Sequence, residues 1–281
     1  MRGTRHWIVI GLVALLALGS VAAGCGSSGD DTSSSTTATG GSSGGDDLGL
    51  ITDGTLTVGS DIPYPPFEQG KPPDYTGFDI DLIDAIAEKL GLDPEIVDTA
   101  FGTIFSDQQA GKFDIVASST TITPARSKRV TFSDPYFDAN QSLMVQSGSD
   151  IASVDDITSD TAIGVQTGTT GQDYAEKQTD GTVQSYAAIG TVFNALQAGQ
   201  VDAVINDFAV SAFALKKYPQ LDVVQQIPTG EHYGFPMQKS NTALIDAVDG
   251  ALRDIIADGT YETIYKKWFS GEPPKAYLPS S

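Results

Sequence analysis

The segment Gln109-Ala110-Gly111-Lys112-Phe113-Asp114-Ile115-Val116 returns later in the chain as Gln197-Ala198-Gly199-Gln200-Val201-Asp202-Ala203-Val204. Each copy reads as a helix end, a glycine turn and a buried strand, and self-similarity of this kind marks similarly built units. The surroundings agree. Leu56 to Gly59 is a short β-favouring run that opens into a Pro-rich loop, Asp61 to Pro73. Ile163 to Val165 likewise opens into a Gly-rich loop, Gln166 to Gly171, with a helix from Gln172. After the first loop Phe78, Leu82, Ile83, Ile86, Ala87 and Leu90 recur at helical spacing and Gly91 supplies the stop. Pro94 to Val97 as strand, Ile104 to Ala110 as helix and Phe113 to Ala117 as strand complete a βαβαβ order, which calls for a parallel sheet covered by helices.

Two α/β lobes are therefore expected. Asp134 to Ser147 is extended, the turn-rich stretch Gly148 to Ser159 suits a crossing between lobes, and the chain returns near Thr229 to Pro236. A helix from Ala243 to Ala257 and the segment Tyr261 to Phe269 then pack on the first lobe. The expected limits are 48–140 with 231–281 for the first lobe and 141–230 for the second.

The N-terminus reads as an export signal over residues 1–24: Arg2 and Arg5, an apolar run from Trp7 to Leu18, and small residues Gly19 to Gly24. The run is short for a membrane span. Cys25 is the single cysteine, so it has no disulfide partner within the chain. Its position after the signal resembles a bacterial lipobox, in which the cysteine becomes the acylated N-terminus, although Ala22 stands where that pattern prefers Leu. Acyl chains would anchor the protein to the outer face of the cytoplasmic membrane, the alternative being ordinary signal cleavage near Ala23 that leaves a free protein. Residues 25–47 are then a disordered tether of Gly, Ser, Thr and Asp.

A net charge of -20 excludes a phosphate-backbone partner, since nucleic-acid affinity rests on Lys and Arg. His232 is the sole histidine beyond the signal, and no His/Cys cluster offers a metal site. No cofactor is expected.

Ligands of open α/β sheets bind beyond the carboxyl ends of the strands. Those ends are Ser60-Asp61, Ser118-Ser119, Gln166 to Thr170 and Asn206-Asp207, so two facing lobes would converge hydroxyls, carboxylates and an amide on one cleft. Thr123 before Pro124 is a strong helix start. Arg126 falls in that first turn, a cation where the helix dipole favours an anion. An anionic ligand held by the planar guanidinium explains it; a solvated arginine beside Lys128 and Arg129 is the bland alternative.

The motifs Gly77-Phe78-Asp79-Ile80-Asp81-Leu82, Thr121-Ile122-Thr123-Pro124-Ala125-Arg126, Phe132-Ser133-Asp134-Pro135-Tyr136-Phe137, Asp258-Gly259-Thr260-Tyr261 and Lys267-Trp268-Phe269 together resemble the polar amino-acid family of bacterial ABC-transporter solute-binding proteins. The resemblance covers nearly everything after the tether. It implies a type II periplasmic-binding-protein-like fold with hinge-linked lobes, a monomer that captures an amino acid for membrane permease subunits. In its terms Arg126 holds the ligand α-carboxylate with help from Thr121, and Ser118 and Ser119 add contacts. Asp207 meets the α-ammonium, though it could also cap the helix after it. Thr169 and Thr170 close over the carboxylate.

Asp61, Tyr64, Phe67, Phe101 and Gln166 are expected to write specificity, with core packing as the alternative for Phe67 and Phe101. Aromatic faces with one acid suit an apolar stem ending in a cation or amide. Arginine, lysine or histidine is the expected ligand, then glutamine. A dehydratase acting on prephenate or arogenate shares this resemblance and is the enzymatic alternative; an amino-acid sensor subunit is the other.

Overall fold

A computed structural model describes residues 47–278. The signal, Cys25 and nearly all of the tether lie outside the described residues.

The chain begins with β1 (Thr55–Ser60), a strand buried along almost its whole length, as a central parallel strand must be. A small hairpin, β2 (Gln69–Lys71) and β3 (Asp74–Thr76), precedes α1 (Phe78–Leu90). The helix buries Phe78, Leu82, Ile83, Ile86 and Ala87 on one stripe and ends at Gly91, whose φ of 68° lets the backbone N–H turn back to the Glu88 carbonyl. Next come β4 (Asp93–Asp98), α2 (Phe101–Gln109), β5 (Ile115–Val116), the single turn α3 (Pro124–Ser127) and β6 (Thr131–Phe132).

The second half holds β7 (Phe137–Gln146), β8 (Ala162–Gln166), α4 (Thr170–Gln178), β9 (Thr182–Tyr186), α5 (Ile189–Gln197), β10 (Ala203–Asp207), α6 (Phe208–Ala214) and β11 (Leu221–Tyr233). The chain finishes with β12 (Pro236–Met237), α7 (Thr242–Ala257) and α8 (Thr260–Trp268).

Two five-stranded sheets result, ordered β4-β1-β5-β12-β6 and β11-β7-β10-β8-β9. In the first, β4, β1 and β5 run parallel and β12 is antiparallel to its neighbours. In the second, β9, β8 and β10 run parallel while β7 and β11 are antiparallel. The helix that opens at α7 returns to the first lobe and packs on α1, as does α8.

The crossing is made by strands and differs from the expected one. β7 and β11 pair over their length, from Leu221 opposite Gln146 to Tyr233 opposite Phe137, and carry the chain out to the second sheet and back. Gly148 to Ser159 instead belongs to the second lobe. Ser147 N–H donates to Gln220, Val154 N–H donates to the Gln225 side chain, and Ile157 is buried against Ile163 and Val165. Their ladder pairs most of the crossing backbone, with irregularities between Val223 and Gln225 and between Ile227 and Glu231. The limits expected at 140/141 and 230/231 fall inside these two strands.

At the crossing an aromatic cluster forms around Phe67, which is fully buried and lies 5.0 Å from Phe137, 5.3 Å from Tyr233 and 5.9 Å from Phe78 by ring centroid. Such edge-to-face pairs suit the aromatic quadrupole. Phe67 is thus a core residue, not a cleft residue: the turn in which its N–H donates to the Tyr64 carbonyl sends the tyrosine toward the cleft and the phenylalanine away from it.

Candidate functional site

The carboxyl ends of β1 and β5 face those of β8 and β10 across a narrow cavity. Its walls are Asp61, Tyr64, Phe101, Ser118, Ser119, Thr121 and Arg126 from the first lobe and Gln166, Thr169, Thr170 and Asp207 from the second. Of the residues expected from sequence, only Phe67 is absent from the wall.

Local structure places each charged group. Thr123 caps α3, its hydroxyl accepting from the Arg126 N–H at 3.2 Å, with Pro124 at the first helical position. The guanidinium then folds back: Nη1 donates to the Thr121 carbonyl at 2.8 Å and Nη2 crosses the cleft to the Gly168 carbonyl at 3.0 Å. Its carbon sits over Phe101 and Phe105 at 5.3 and 5.1 Å. Burial pulls the Arg126 pKa below its usual value, while Asp207, Glu231 and Asp173 act the other way from a distance. Arg126 forms no salt bridge among the described residues.

Asp207 ends β10 and precedes α6, yet its side chain makes no capping bond. One oxygen accepts from the hydroxyls of Tyr64 and Tyr233, both at 2.7 Å, and the other accepts from Gln141 Nε2 at 2.6 Å. Burial raises the Asp207 pKa, and the tyrosine hydroxyls oppose the rise. Asp207 too forms no salt bridge among the described residues. One cavity therefore contains a half-buried cation and a buried anion, each held by neutral hydrogen bonds and neither in a salt bridge among the described residues. Buried charges are normally paired, so the arrangement suits a guest bearing both opposite charges.

Farther along the wall, Asp61 Oδ2 accepts from Gln166 Nε2 at 2.5 Å across the lobes. Burial pushes the Asp61 carboxyl up to about 6, against the Gln166 hydrogen bond, with the Asp98 charge adding to the rise. Tyr64 and Phe101 flank it on the cavity wall. Thr169 caps α4 by accepting from the Gln172 N–H at 3.1 Å, and the Thr121 and Thr170 hydroxyls meet across the cleft at 3.5 Å. Ser118 Oγ accepts from the Asp61 N–H at 3.1 Å, which ties the ends of β1 and β5 together.

Several supporting residues carry no sequence signal of their own. Gln141 on β7 is fully buried; its Nε2 donates to Asp207 and to Glu231 at 2.9 Å and lies 3.2 Å from the Thr170 hydroxyl. Tyr233 on β11 and Asn206 on β10 complete the network, the Asn206 side chain lying 2.9 Å from the Tyr64 hydroxyl. The crossing strands place them there, and alternation along those strands reads only as ordinary β-structure.

Residues 56–271 match the model of the bacterial extracellular solute-binding proteins, family 3. The ABC transporter arginine-binding protein 1 of Escherichia coli (strain K12) is 33% identical over 221 residues, 76% of this chain and 90% of that protein. The ABC transporter glutamine-binding protein GlnH of Bacillus subtilis (strain 168) is 32% identical over 201 residues, 70% of this chain and 74% of that protein. Among solved structures, the arginine-, lysine-, histidine-binding protein ArtJ from Geobacillus stearothermophilus superposes with a TM-score of 0.73 at 37% identity, covering 78% of this chain and 96% of that one. The two lobes, the strand-end cavity and these matches agree with the fold and family expected from sequence: the chain belongs to the bacterial extracellular solute-binding proteins, family 3.

Proposed function

We propose that this chain is the extracytoplasmic capture component of an ABC importer, closing its lobes on a polar amino acid with a cationic side chain: arginine, lysine or histidine, with glutamine next. The carrying observation is the pair of unneutralised charges in one cavity, Arg126 and Asp207. A ligand α-carboxylate on Arg126, assisted by Thr121, Thr169 and Thr170, and an α-ammonium on Asp207 would complete both. Asp61 then remains as a further acid beside Tyr64 and Phe101, which favours a cationic end over a neutral one and disfavours an acidic one.

Closure follows from the hydrogen bonds that already cross the cleft, at Gln166–Asp61, Tyr64–Asp207 and Arg126–Gly168. Bending within β7 and β11 would open it. The names of the relatives support the transport role, and membrane permease subunits are the expected partners of a monomeric binder. Acylation of Cys25 would hold the protein at the outer face of the cytoplasmic membrane.

A thermal-shift and calorimetric panel of the standard amino acids tests the reading. Arginine, lysine and histidine should raise the melting temperature, with Kd near micromolar, about 8 kcal/mol. Aspartate and glutamate should give no response. Silence toward every amino acid, or turnover of prephenate or arogenate, would overturn the proposal.

A further inference from the structure

Beneath the cavity floor the Gly77-Phe78-Asp79 motif meets the loop that ends in Glu68. Gly77 has φ 143°, and a Cβ there would lie 1.9 Å from the Phe67 carbonyl oxygen, so glycine alone lets the start of α1 lie on that backbone. The Phe78 and Asp79 N–H groups donate to the Pro66 and Phe67 carbonyls at 3.0 and 3.1 Å. Glu68 and Asp79 are thereby brought together with no solvent exposure.

Both carboxyls grip one residue of the cavity wall. Ser119 Oγ donates to Glu68 Oε1 at 3.0 Å, the Ser119 N–H donates to Asp79 Oδ2 at 2.9 Å, and the Tyr136 hydroxyl donates to the same Asp79 oxygen at 2.6 Å. Ser119 has φ 47°, alone among the described non-glycine residues in the left-handed region. A serine holds that conformation only where its surroundings impose it. The remaining oxygens, Glu68 Oε2 and Asp79 Oδ1, are buried without another partner although the two carboxyls are within hydrogen-bonding reach of each other. Two buried carboxylates so placed repel; a proton between them removes one charge and supplies the missing bond.

We propose that Glu68 and Asp79 share one proton and act as a single positioning unit that fixes Ser119 in its left-handed conformation on the ligand-facing wall. Asp61 and Tyr64 face the pair from the cleft side and Tyr136 from the other, and neither carboxyl forms a salt bridge among the described residues. Burial raises both carboxyls, and for Glu68 the Asp79 charge adds to the rise. The consequence for binding rests on the amino-acid reading above; the shared proton does not.

Infrared difference spectra of the ligand-free protein at neutral pH test the proton directly. A protonated-carboxyl band should be present and should lose the intensity of one carboxyl in Glu68→Gln, over and above whatever Asp61 and Asp207 contribute. Calorimetry with L-arginine tests the positioning: Glu68→Ala should weaken binding about tenfold or more, as a buried group left unsatisfied does. Glu68→Gln, which accepts from Ser119 and donates to Asp79, should rescue affinity to within about threefold of wild type. Absence of that loss, or a Glu68→Gln protein that binds as poorly as Glu68→Ala, overturns the proposal. If arginine bound no form of the protein, the ligand reading would fail, and the loss of band intensity alone would decide for or against the shared proton.

Discussion

At Gly111 and Gly199 the chain turns through the same left-handed conformation, with φ 73° and 68°, after alanines of nearly identical geometry. The next hydrogen bonds match as well. Asp114 N–H donates to the Thr57 carbonyl on β1 and Asp202 N–H to the Ala162 carbonyl on β8, both at 2.8 Å, while each aspartate side chain accepts from a backbone N–H of the strand beside it. Beyond the strands the copies part. β5 leads into Ser118, the constrained Ser119 and the turn that carries Arg126; β10 ends directly on Asn206 and Asp207. One scaffold thus delivers a cation from the first lobe and an anion from the second, aimed at one cavity. The difference between the copies, rather than what they share, is where a ligand bearing both charges would be recognised.

The most severe break in that comparison is Arg126→Ala. It should remove about 3–5 kcal/mol of binding free energy for every α-amino acid alike, because a ligand carboxylate would enter the cavity unpaired. Arg126→Lys should recover little, since the ammonium lacks the planar fork. Titration calorimetry across several amino acids reads both outcomes.

Asp207→Asn should weaken binding by about 2–3 kcal/mol and also do something opposite to the ligand-free protein. Burial raises the Asp207 pKa, so the folded state keeps a proton that the unfolded chain gives up, and stability from this group falls as pH rises above its unfolded value near 4. The asparagine variant should therefore melt higher than wild type at neutral pH while binding worse. Melting curves with and without arginine would show it.

Asp61→Asn sharpens the comparison by acting on the side chain only. Arginine and lysine should lose about 1–2 kcal/mol and glutamine little. Because the free Asp61 carboxyl sits near 6, arginine affinity of the wild type should rise as pH increases through that value and level off above it. The variant should lose the part of this pH dependence that Asp61 supplies, leaving any share from Asp207. The smallest effects belong to the shared scaffold. Gly111→Ala and Gly199→Ala should each lower stability by about 1 kcal/mol through the positive φ, and leave ligand affinity unchanged.

Much of this was legible in the sequence because its signals are local. The repeated glycine turn, the apolar stripe of α1 and the Thr123-Pro124 start announce themselves within a few residues, and Arg126 stands out against the helix dipole. Strand ends could be read as cleft positions once a parallel order was expected. What stayed hidden depends on contacts between distant segments. Gln141 reaches Asp207 only because β7 pairs with β10, and Tyr233 only because β11 lies beside β7. Polarity makes the turn-rich 148–159 stretch look like a linker, whereas the crossing is made by the paired strands β7 and β11. Phe67 and Tyr64 look alike in sequence, and a single turn sends them to opposite sides. Asp79 resembles an acid favouring a helix start, yet it faces inward to Glu68 and Ser119.

Arginine compared with its decarboxylated and deaminated analogues by titration calorimetry addresses the two-charge cavity most directly. Arginine should bind near micromolar Kd, and each analogue at least about a hundredfold more weakly, since each leaves one charge of the cavity unmatched. An amine lacking the carboxylate that binds as tightly as arginine would contradict the account.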